Sequence, residues 1–156
     1  MSMTTSCKGK KVLIASDHAG VALKAEIQKQ LPECTWVDLG PVNGDRVDYP
    51  DYAEKVASRV ATGEFSQGVL ICGSGIGMSI AANKIAGIRA ALVENPVSAR
   101  LSREHNDANI LCLGSRFLAP EYGAEIVKVW LETPFTADGR HAGRISKIAQ
   151  LEKKTR

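Results

Sequence analysis

A glycine-rich loop in the middle of the chain is the segment best suited to chemistry. It comprises residues 73–77, Gly-Ser-Gly-Ile-Gly, and follows the apolar run Gly68–Cys72, which is typical of a strand buried on both faces. A helical pattern begins at Met78, so the N–H groups of the loop should converge at a helix N-terminus and stabilise an anion or a developing oxyanion. The spacing matches neither a Walker A motif nor the dinucleotide-binding fingerprint. The alternative is a tight strand-to-helix turn that binds no ligand.

Cys72 lies at the junction of this strand and the loop. A helix N-terminus favours the thiolate form of a cysteine, which suits a nucleophile or a base, whereas the alternative is an inert buried thiol. None of the four cysteines forms a C-x-x-C pair, and the high apolar content and the lack of a secretion signal argue against a disulfide framework. We therefore expect four reduced thiols, with Cys34 and Cys112 in the core and Cys7 in a disordered leader over residues 1–9.

Three histidines stand beside polar residues rather than within apolar stripes. His18 follows Asp17 after the first apolar run, His105 precedes Asn106, and His141 lies in the basic C-terminal segment. An imidazole that titrates near neutrality can move protons or bind phosphate. A solvated or capping role is the alternative for each of them. The histidines and cysteines show no zinc-type spacing, so we expect no metal.

The C-terminal segment carries the excess positive charge of the chain. Residues 138–156 contain six basic and two acidic residues, a net charge of +4, whereas the rest of the chain carries −1. In a helix, Arg140 and Arg144 share a face beside His141, and Arg116 could add a cation from the sheet. Two guanidiniums and an imidazole would clamp a phosphate. A solvated basic face is the alternative, and composition does not choose between them.

Strand and helix patterns alternate five times along the chain. Apolar runs predict strands at residues 12–15, 35–39, 68–72, 88–93 and 110–113. Helical spacing predicts helices at 21–31, 48–60, 78–84, 96–104 and 121–132, with a further pattern at 145–151. This alternation implies βαβ units and a parallel sheet covered on both faces. Such sheets bind ligands at the carboxyl ends of their strands, where the polar groups described above must lie.

Length and composition indicate one domain over residues 1–156. The chain is 44% hydrophobic, which suits one sizeable core. No apolar run reaches the roughly 18 residues of a membrane span, and the N-terminus lacks the apolar core of a signal peptide. We therefore expect a cytoplasmic protein without a membrane partner. The net charge of +3 is too small to indicate a nucleic-acid partner.

Five blocks of sequence occur together in one order. They are Ser16–Gly20, Val47–Asp51, Cys72–Lys84, Ser102–Asp107 and Arg140-His-x-x-Arg144. On these blocks the chain, from about Val12 to about Ile148, resembles the type B ribose-5-phosphate isomerases, whose family also contains galactose-6-phosphate and allose-6-phosphate isomerases. The resemblance implies a Rossmann-like three-layer α/β/α fold with a C-terminal helical tail. It also implies a homodimer or dimer of dimers with shared active sites and no cofactor.

The resemblance further implies roles for individual residues. Cys72 matches the base that moves a proton between C2 of an aldose and C1 of a ketose, and Ser74 matches a hydroxyl that shuttles a proton between O1 and O2. His105 matches the residue that opens the furanose ring. The hole for the enediolate matches the N–H groups of Gly73, Gly75, Ile76 and Gly77. The sugar-holding groups match Asp17, Asp48, Tyr49 and Asn106, and the phosphate-binding groups match His18, Arg116, Arg140, His141 and Arg144.

Three functions remain open on the sequence. The first is a cofactor-free isomerase of ribose 5-phosphate and ribulose 5-phosphate, and the second is an isomerase of a hexose 6-phosphate such as allose or galactose. The third is a non-catalytic module that binds phosphate or a nucleotide. For either isomerase, we expect the tail over residues 133–156 to pack on a partner subunit, so that Arg140 and Arg144 reach its glycine loop.

Overall fold

The computed structural model describes residues 7–154, which form a five-stranded, all-parallel sheet with the strand order β2-β1-β3-β5-β4. The strands are β1 Lys11–Ser16, β2 Thr35–Asp38, β3 Gly68–Cys72, β4 Ala90–Leu92 and β5 Ile110–Gly114. The helices are α1 Val21–Gln30, α2 Tyr49–Ala61, α3 Ile76–Ala82, α4 Pro96–Asn106, α5 Pro120–Glu132 and α6 Gly139–Lys154. The predicted three-layer α/β/α fold with a C-terminal helix is confirmed.

Both faces of the sheet are buried, which explains the unbroken apolar runs of its central strands. Every residue of β3 and β5 is buried. Val69 and Ile71 pack in the core that contains α1, α4 and α5, whereas Leu70 and Cys72 pack in the core that contains α2 and α3. Alternate side chains of each strand therefore enter different apolar layers, as a doubly covered parallel sheet requires.

Because of the crossover connections, the ends of the strands and helices lie at two opposite edges of the sheet. In a parallel sheet the connecting helices run back against the strands, so strand ends and helix starts share the carboxyl edge. Helix ends and strand starts share the opposite, amino edge. The chain leaves the neighbouring strands β1 and β3 in opposite directions, toward β2 and β4 respectively. This switch point opens a crevice at the carboxyl edge.

The outer edge of β4 is closed by a side chain. The Asn83 amide donates to the carbonyl of Ala90 at 3.0 Å, and its oxygen accepts the Ala90 N–H at 2.8 Å. The Asn83 amide therefore takes the place that a further strand would occupy along this edge.

Helix α6 packs along α4 of its own chain. The connection before it is tied to α4 by the Thr136 N–H, which donates to the Glu104 carbonyl at 3.1 Å. Near the other end of α6, the Glu152 carboxylate accepts the Gly87 N–H at 3.0 Å. The packing of residues 133–156 on a partner subunit stays a prediction. Within residues 7–154, every helix is too short or too polar to traverse a lipid bilayer.

The prediction of four reduced thiols was wrong. Cys7 is buried and forms a disulfide with Cys34, with 5.3 Å between their Cα atoms. The Lys10 N–H donates to the Cys7 carbonyl at 2.9 Å in a turn, and the Thr35 N–H donates to the Lys10 carbonyl at 2.9 Å, so the two cysteines are brought together. Residues 7–9 are therefore an ordered part of the fold, and residues 1–6 of the predicted leader lie outside the described residues. The pair is 27 residues apart, so its proximity arises from the fold rather than from a local motif.

Candidate active site at the carboxyl edge of the sheet

The glycine loop folds back onto the side chain of Cys72. The Gly75 N–H donates to the Cys72 sulfur at 3.1 Å, and the Ile76 N–H donates to the Ser74 hydroxyl at 3.2 Å. Gly75 has a φ of 75°, and a Cβ there would lie 2.5 Å from a methyl group of Leu92. Glycine is required at this position, because an L side chain would be strained in its conformation and would also collide. After this turn α3 begins at Ile76, two residues before the predicted start at Met78.

Cys72 and Cys112 are the free thiols of the described residues, and they differ in environment. Cys72 lies at the end of β3, beside the polar loop, with 4% of its surface exposed. Cys112 is inside β5 and fully buried, and burial, followed by the nearby Cys72, raises the pKa of its thiol. Cys112 is therefore a neutral core residue, as the sequence indicated.

Arg116 reaches the same loop from β5. The Ser115 N–H donates to the Cys72 carbonyl at 2.9 Å, and the Arg116 N–H donates to the Gly73 carbonyl at 3.0 Å. A Cβ on Gly73 would lie 3.1 Å from Nε of Arg116, so the guanidinium lies directly against the loop. The exits of β3 and β5 thus bring a thiol and a permanent cation together.

The exit of β1 adds a carboxylate and an imidazole. The Asp17 N–H donates to the Ile71 carbonyl at 3.0 Å, and its buried carboxylate accepts the Ala19 N–H at 2.9 Å. His18 Nδ1 accepts the Val47 N–H at 3.4 Å. This contact occupies Nδ1, so Nε2 is the nitrogen of His18 that remains for a ligand.

Helix α2 contributes an aromatic ring. A Cβ on Gly77 would lie 2.6 Å from Cζ of Tyr49, so the ring packs directly on the glycine loop. Asp48 stands immediately before α2, at its N-cap position. The carboxyl edge therefore brings together one part of the predicted site: the loop with Asp17, His18, Asp48, Tyr49, Cys72, Ser74 and Arg116.

The other part of the predicted site lies at the amino edge. His105 and Asn106 are the last two residues of α4, which leads into the start of β5. Cys72 lies at the end of β3, which pairs in register with all five residues of β5. At about 3.3 Å per residue, a strand of this length separates the two edges by about 16 Å. One chain does not bring His105 and Cys72 together.

His105 stacks on His141, which binds the sequence-distant helix α6 to the end of α4. The two imidazole rings are 4.4 Å apart and nearly parallel, with 16° between their planes. His105 is exposed and His141 is buried. Arg140 and Arg144 of α6 are both exposed, one helical turn apart.

Sequence reasoning missed Asp138, which fixes the start of α6. Its carboxylate accepts the His141 N–H at 2.8 Å, and its second oxygen lies 3.8 Å from Nε2 of His141. The hydrogen bond from the His141 backbone, followed by the charges of His141 and Arg140, lowers the pKa of Asp138. An Asp three residues before a helical His is a capping signal that the sequence carried.

Two arginines, also unforeseen, hold the turn after His105. The Arg103 guanidinium donates to the Asp107 carboxylate at 2.8 Å and to the Ala108 carbonyl at 2.6 Å. Arg89 Nε donates to the Asn106 carbonyl at 3.0 Å. Asn106 also borders a cleft of about 320 Å³ between β4, α4 and α6.

The fold and its strand exits define an α/β protein whose carboxyl edge combines a thiol, an imidazole, a carboxylate and a guanidinium. A family model described as Ribose/Galactose Isomerase matches residues 12–148. The chain therefore belongs to the ribose/galactose isomerase family.

Individual relatives agree with this assignment. Ribose-5-phosphate isomerase B of Escherichia coli is 46% identical, and the match covers 93% of this chain and 98% of that protein. YwlF of Bacillus subtilis, provisionally named a sugar phosphate isomerase without a stated sugar, is 52% identical over 92% of this chain and 98% of its own. The solved structure of Clostridium thermocellum ribose-5-phosphate isomerase B is 49% identical, with a TM-score of 0.90 over 94% of this chain and 99% of that one.

Proposed function

We propose that the protein interconverts ribose 5-phosphate and ribulose 5-phosphate through an enediolate, with Cys72 as the base. The observation that carries the proposal is the Cys72 sulfur, held at the end of β3 by the Gly75 N–H at 3.1 Å. Two relatives named ribose-5-phosphate isomerase B or probable ribose-5-phosphate isomerase B, each 46% identical to this chain, support the choice of substrate. A Mycoplasma genitalium relative, 43% identical, has been solved with ribulose 5-phosphate bound.

The proposed reaction transfers one proton between adjacent carbons. The Cys72 thiolate takes the proton from C2 of the open-chain aldose, and the electron pair of that bond moves toward O1 to give an enediolate. The Ser74 hydroxyl moves a proton between O1 and O2, and Cys72 returns its proton to C1. N–H groups of residues 73–77 stabilise the negative charge on oxygen.

The hydrogen bond from Gly75 serves this chemistry in both protonation states of the sulfur. An N–H donor is compatible with a neutral sulfur and makes a stronger, charge-assisted bond to a thiolate. Arg116, against the same loop, adds a fixed positive charge beside the developing anion. The site thus favours charge separation without a large rearrangement.

We propose that the complete site forms between two copies of the chain. His105, Asn106, Arg140, His141 and Arg144 lie at the amino edge, about 16 Å from the carboxyl edge that holds Cys72. A two-fold dimer can place the amino-edge group of each copy on the carboxyl edge of the other. Exposed apolar side chains such as Ile80 and Leu151, at 57% and 58%, fit burial in such an interface.

The test of the reaction is a direct aldose–ketose assay with ribose 5-phosphate, allose 6-phosphate and galactose 6-phosphate. We expect turnover of ribose 5-phosphate by the wild type and at least a 100-fold lower kcat in Cys72→Ala. Cys112→Ala is the matched control, because it removes a thiol from the same core without touching the loop. It should keep its kcat.

Three outcomes would contradict the proposal in different ways. Preference for a hexose 6-phosphate would replace the substrate, which the family description that includes galactose allows. Full activity of Cys72→Ala would remove the assigned base. Absence of any isomerisation together with tight nucleotide binding would favour a non-catalytic module.

A further inference from the structure

The stacked pair of histidines at the amino edge suggests a different role for His141 from the phosphate contact implied by the resemblance. We propose that Asp138 and His141 hold the imidazole of His105 in place for opening the sugar ring, and that His141 is a positioning residue and not a phosphate ligand. The inference rests on the proposed function, in which His105 opens the furanose.

The environment of His141 leaves little of its ring for a phosphate. Its side chain is 7% exposed, and one ring face is covered by His105 at 4.4 Å. Its Nε2 faces the Asp138 carboxylate at 3.8 Å. A phosphate ligand needs an exposed N–H directed outward, and Nε2 of this buried ring lies beside a carboxylate, which repels a phosphate.

The neighbouring arginines have the opposite character. Arg140 and Arg144 are exposed on α6, and both guanidiniums are free to extend from the helix surface. Together they can bind a phosphate with several N–H groups. The phosphate clamp of the amino edge therefore reduces to these two arginines, and His141 lies beneath the ring of His105.

Ring opening sets a requirement on His105. The C1–O4 bond breaks, its electron pair and a proton go to O4, and O1 loses its proton as the carbonyl forms. A neutral imidazole can do both transfers, because it has one nitrogen that accepts a proton and one that donates. An imidazolium has no acceptor and cannot take the proton from O1.

Asp138 and His141 fix the position of the His105 ring. The two rings are 4.4 Å apart with 16° between their planes, so His141 supports one face of His105. The Asp138 carboxylate accepts the His141 N–H at 2.8 Å, which fixes the first turn of α6 and the place of the supporting ring. Neighbouring carboxylates are paired with arginines: Glu104 with Arg100 at 2.7 Å and Asp107 with Arg103 at 2.8 Å. Stacking covers a ring face and leaves the two nitrogens, which lie on the ring edge, for the transfers at O1 and O4.

The experiment compares the forward direction, from ribose 5-phosphate to ribulose 5-phosphate, with the reverse direction. A ketose with a phosphate on its C5 oxygen has no furanose, so ribulose 5-phosphate needs no ring opening before the proton transfer. In a variant that cannot open the ring, the forward velocity is limited by spontaneous opening. It then stops rising as enzyme is added, whereas the reverse velocity stays proportional to enzyme.

We expect this limit in His141→Ala, with a forward velocity at high enzyme about 10-fold or more below that of the wild type. His141→Phe keeps an aromatic ring under His105, so its forward velocity should again rise nearly in proportion to the enzyme concentration. Competitive inhibition by inorganic phosphate should be unchanged in both variants. Arg144→Ala is the matched control: its phosphate inhibition constant should rise, while its velocity stays proportional to enzyme in both directions.

The proposal is overturned if His141→Ala raises the phosphate inhibition constant as Arg144→Ala does while its forward velocity stays proportional to enzyme. If His141→Ala does not fold, His141→Asn and Asp138→Asn take its place: a forward limit in both variants supports the proposal, and full proportionality in both refutes it. Wild-type protein without any isomerase activity would remove the proposed function itself, which is a separate result.

Discussion

Gly75 combines two constraints at one position of the glycine loop. Its backbone has a φ of 75°, and a Cβ would lie 2.5 Å from a Leu92 methyl group and 2.8 Å from the backbone carbon of Leu113. Backbone atoms cannot move aside as a flexible side chain can. The donor that holds the Cys72 sulfur therefore depends on a residue without a side chain.

Gly75→Ala is expected to lower the free energy of unfolding by about 1–3 kcal/mol and to reduce kcat more than KM. The physical reason is that the loop must shift, which moves the Gly75 N–H away from Cys72. Urea unfolding and steady-state kinetics measure the two effects. Gly44→Ala is the control, since no atom lies within 4 Å of the Cβ it would add. Equal unfolding free energies and equal kinetic constants for the two variants would contradict the requirement for glycine at position 75.

The two free thiols should differ in reactivity toward iodoacetamide. Cys112 is fully buried with a raised pKa, so it stays a neutral thiol in the folded protein. Cys72 borders the site, and we expect it to be the thiol that is alkylated, with protection by ribose 5-phosphate. Peptide mass spectrometry after timed labelling measures the ratio. Equal labelling of Cys112 in the folded protein would show that the thiols are not distinguished in this way.

At the scale of elements, the strands were the easiest part to predict. β3 and β5 are buried on both faces, and their continuous apolar runs identify them directly. Strand β4 is shorter than the predicted 88–93, because its ladder to β5 involves only Ala90–Leu92. The strand order was not predicted, since local patterns do not encode which strand neighbours which.

The disulfide joins the segment before β1 to the start of β2. We expect Cys7→Ser to lower the free energy of unfolding by about 3 kcal/mol, because the bond closes a loop with a separation of 27 residues. Guanidinium unfolding with and without a thiol reductant measures the effect. Reductant should destabilise the wild type and leave Cys7→Ser unchanged. Equal stability of oxidised wild type and Cys7→Ser would contradict a structural role for the bond.

At the scale of the whole molecule, the central finding is that the predicted site is divided between two edges of one sheet. The sequence pattern put His105 before β5 and Cys72 at the end of β3, which already implies opposite edges once the strands are parallel. What the sequence did not reveal is the contact of His105 with His141, because that contact depends on how α6 packs against α4. The role of Asp138 was not predicted, because six basic residues dominate the two acidic ones in residues 138–156.

A dimer with shared sites predicts complementation between two inactive variants. Co-expressed chains of Cys72→Ala and of the double variant Arg140→Ala/Arg144→Ala, which lacks both guanidiniums of the phosphate clamp, should recover about a quarter of wild-type activity, because half of the randomly assembled dimers contain one intact site of two. Activity assays on the purified mixture measure this. Cys72→Ala with Arg116→Ala is the control pair, since both changes lie at the carboxyl edge and no intact site can form. Equal recovery of activity by both pairs, or no recovery by either pair, would contradict sites formed between chains.

The Asn83 amide on the outer side of β4 limits how a second copy can attach. It already satisfies the N–H and carbonyl of Ala90 that face away from β5. An incoming chain would have to displace both hydrogen bonds before it could extend the sheet by main-chain pairing. Continuous ten-stranded association through β4 is thereby disfavoured, and assembly is left to helix surfaces and side chains. The same amide protects an edge strand of three residues from indiscriminate aggregation.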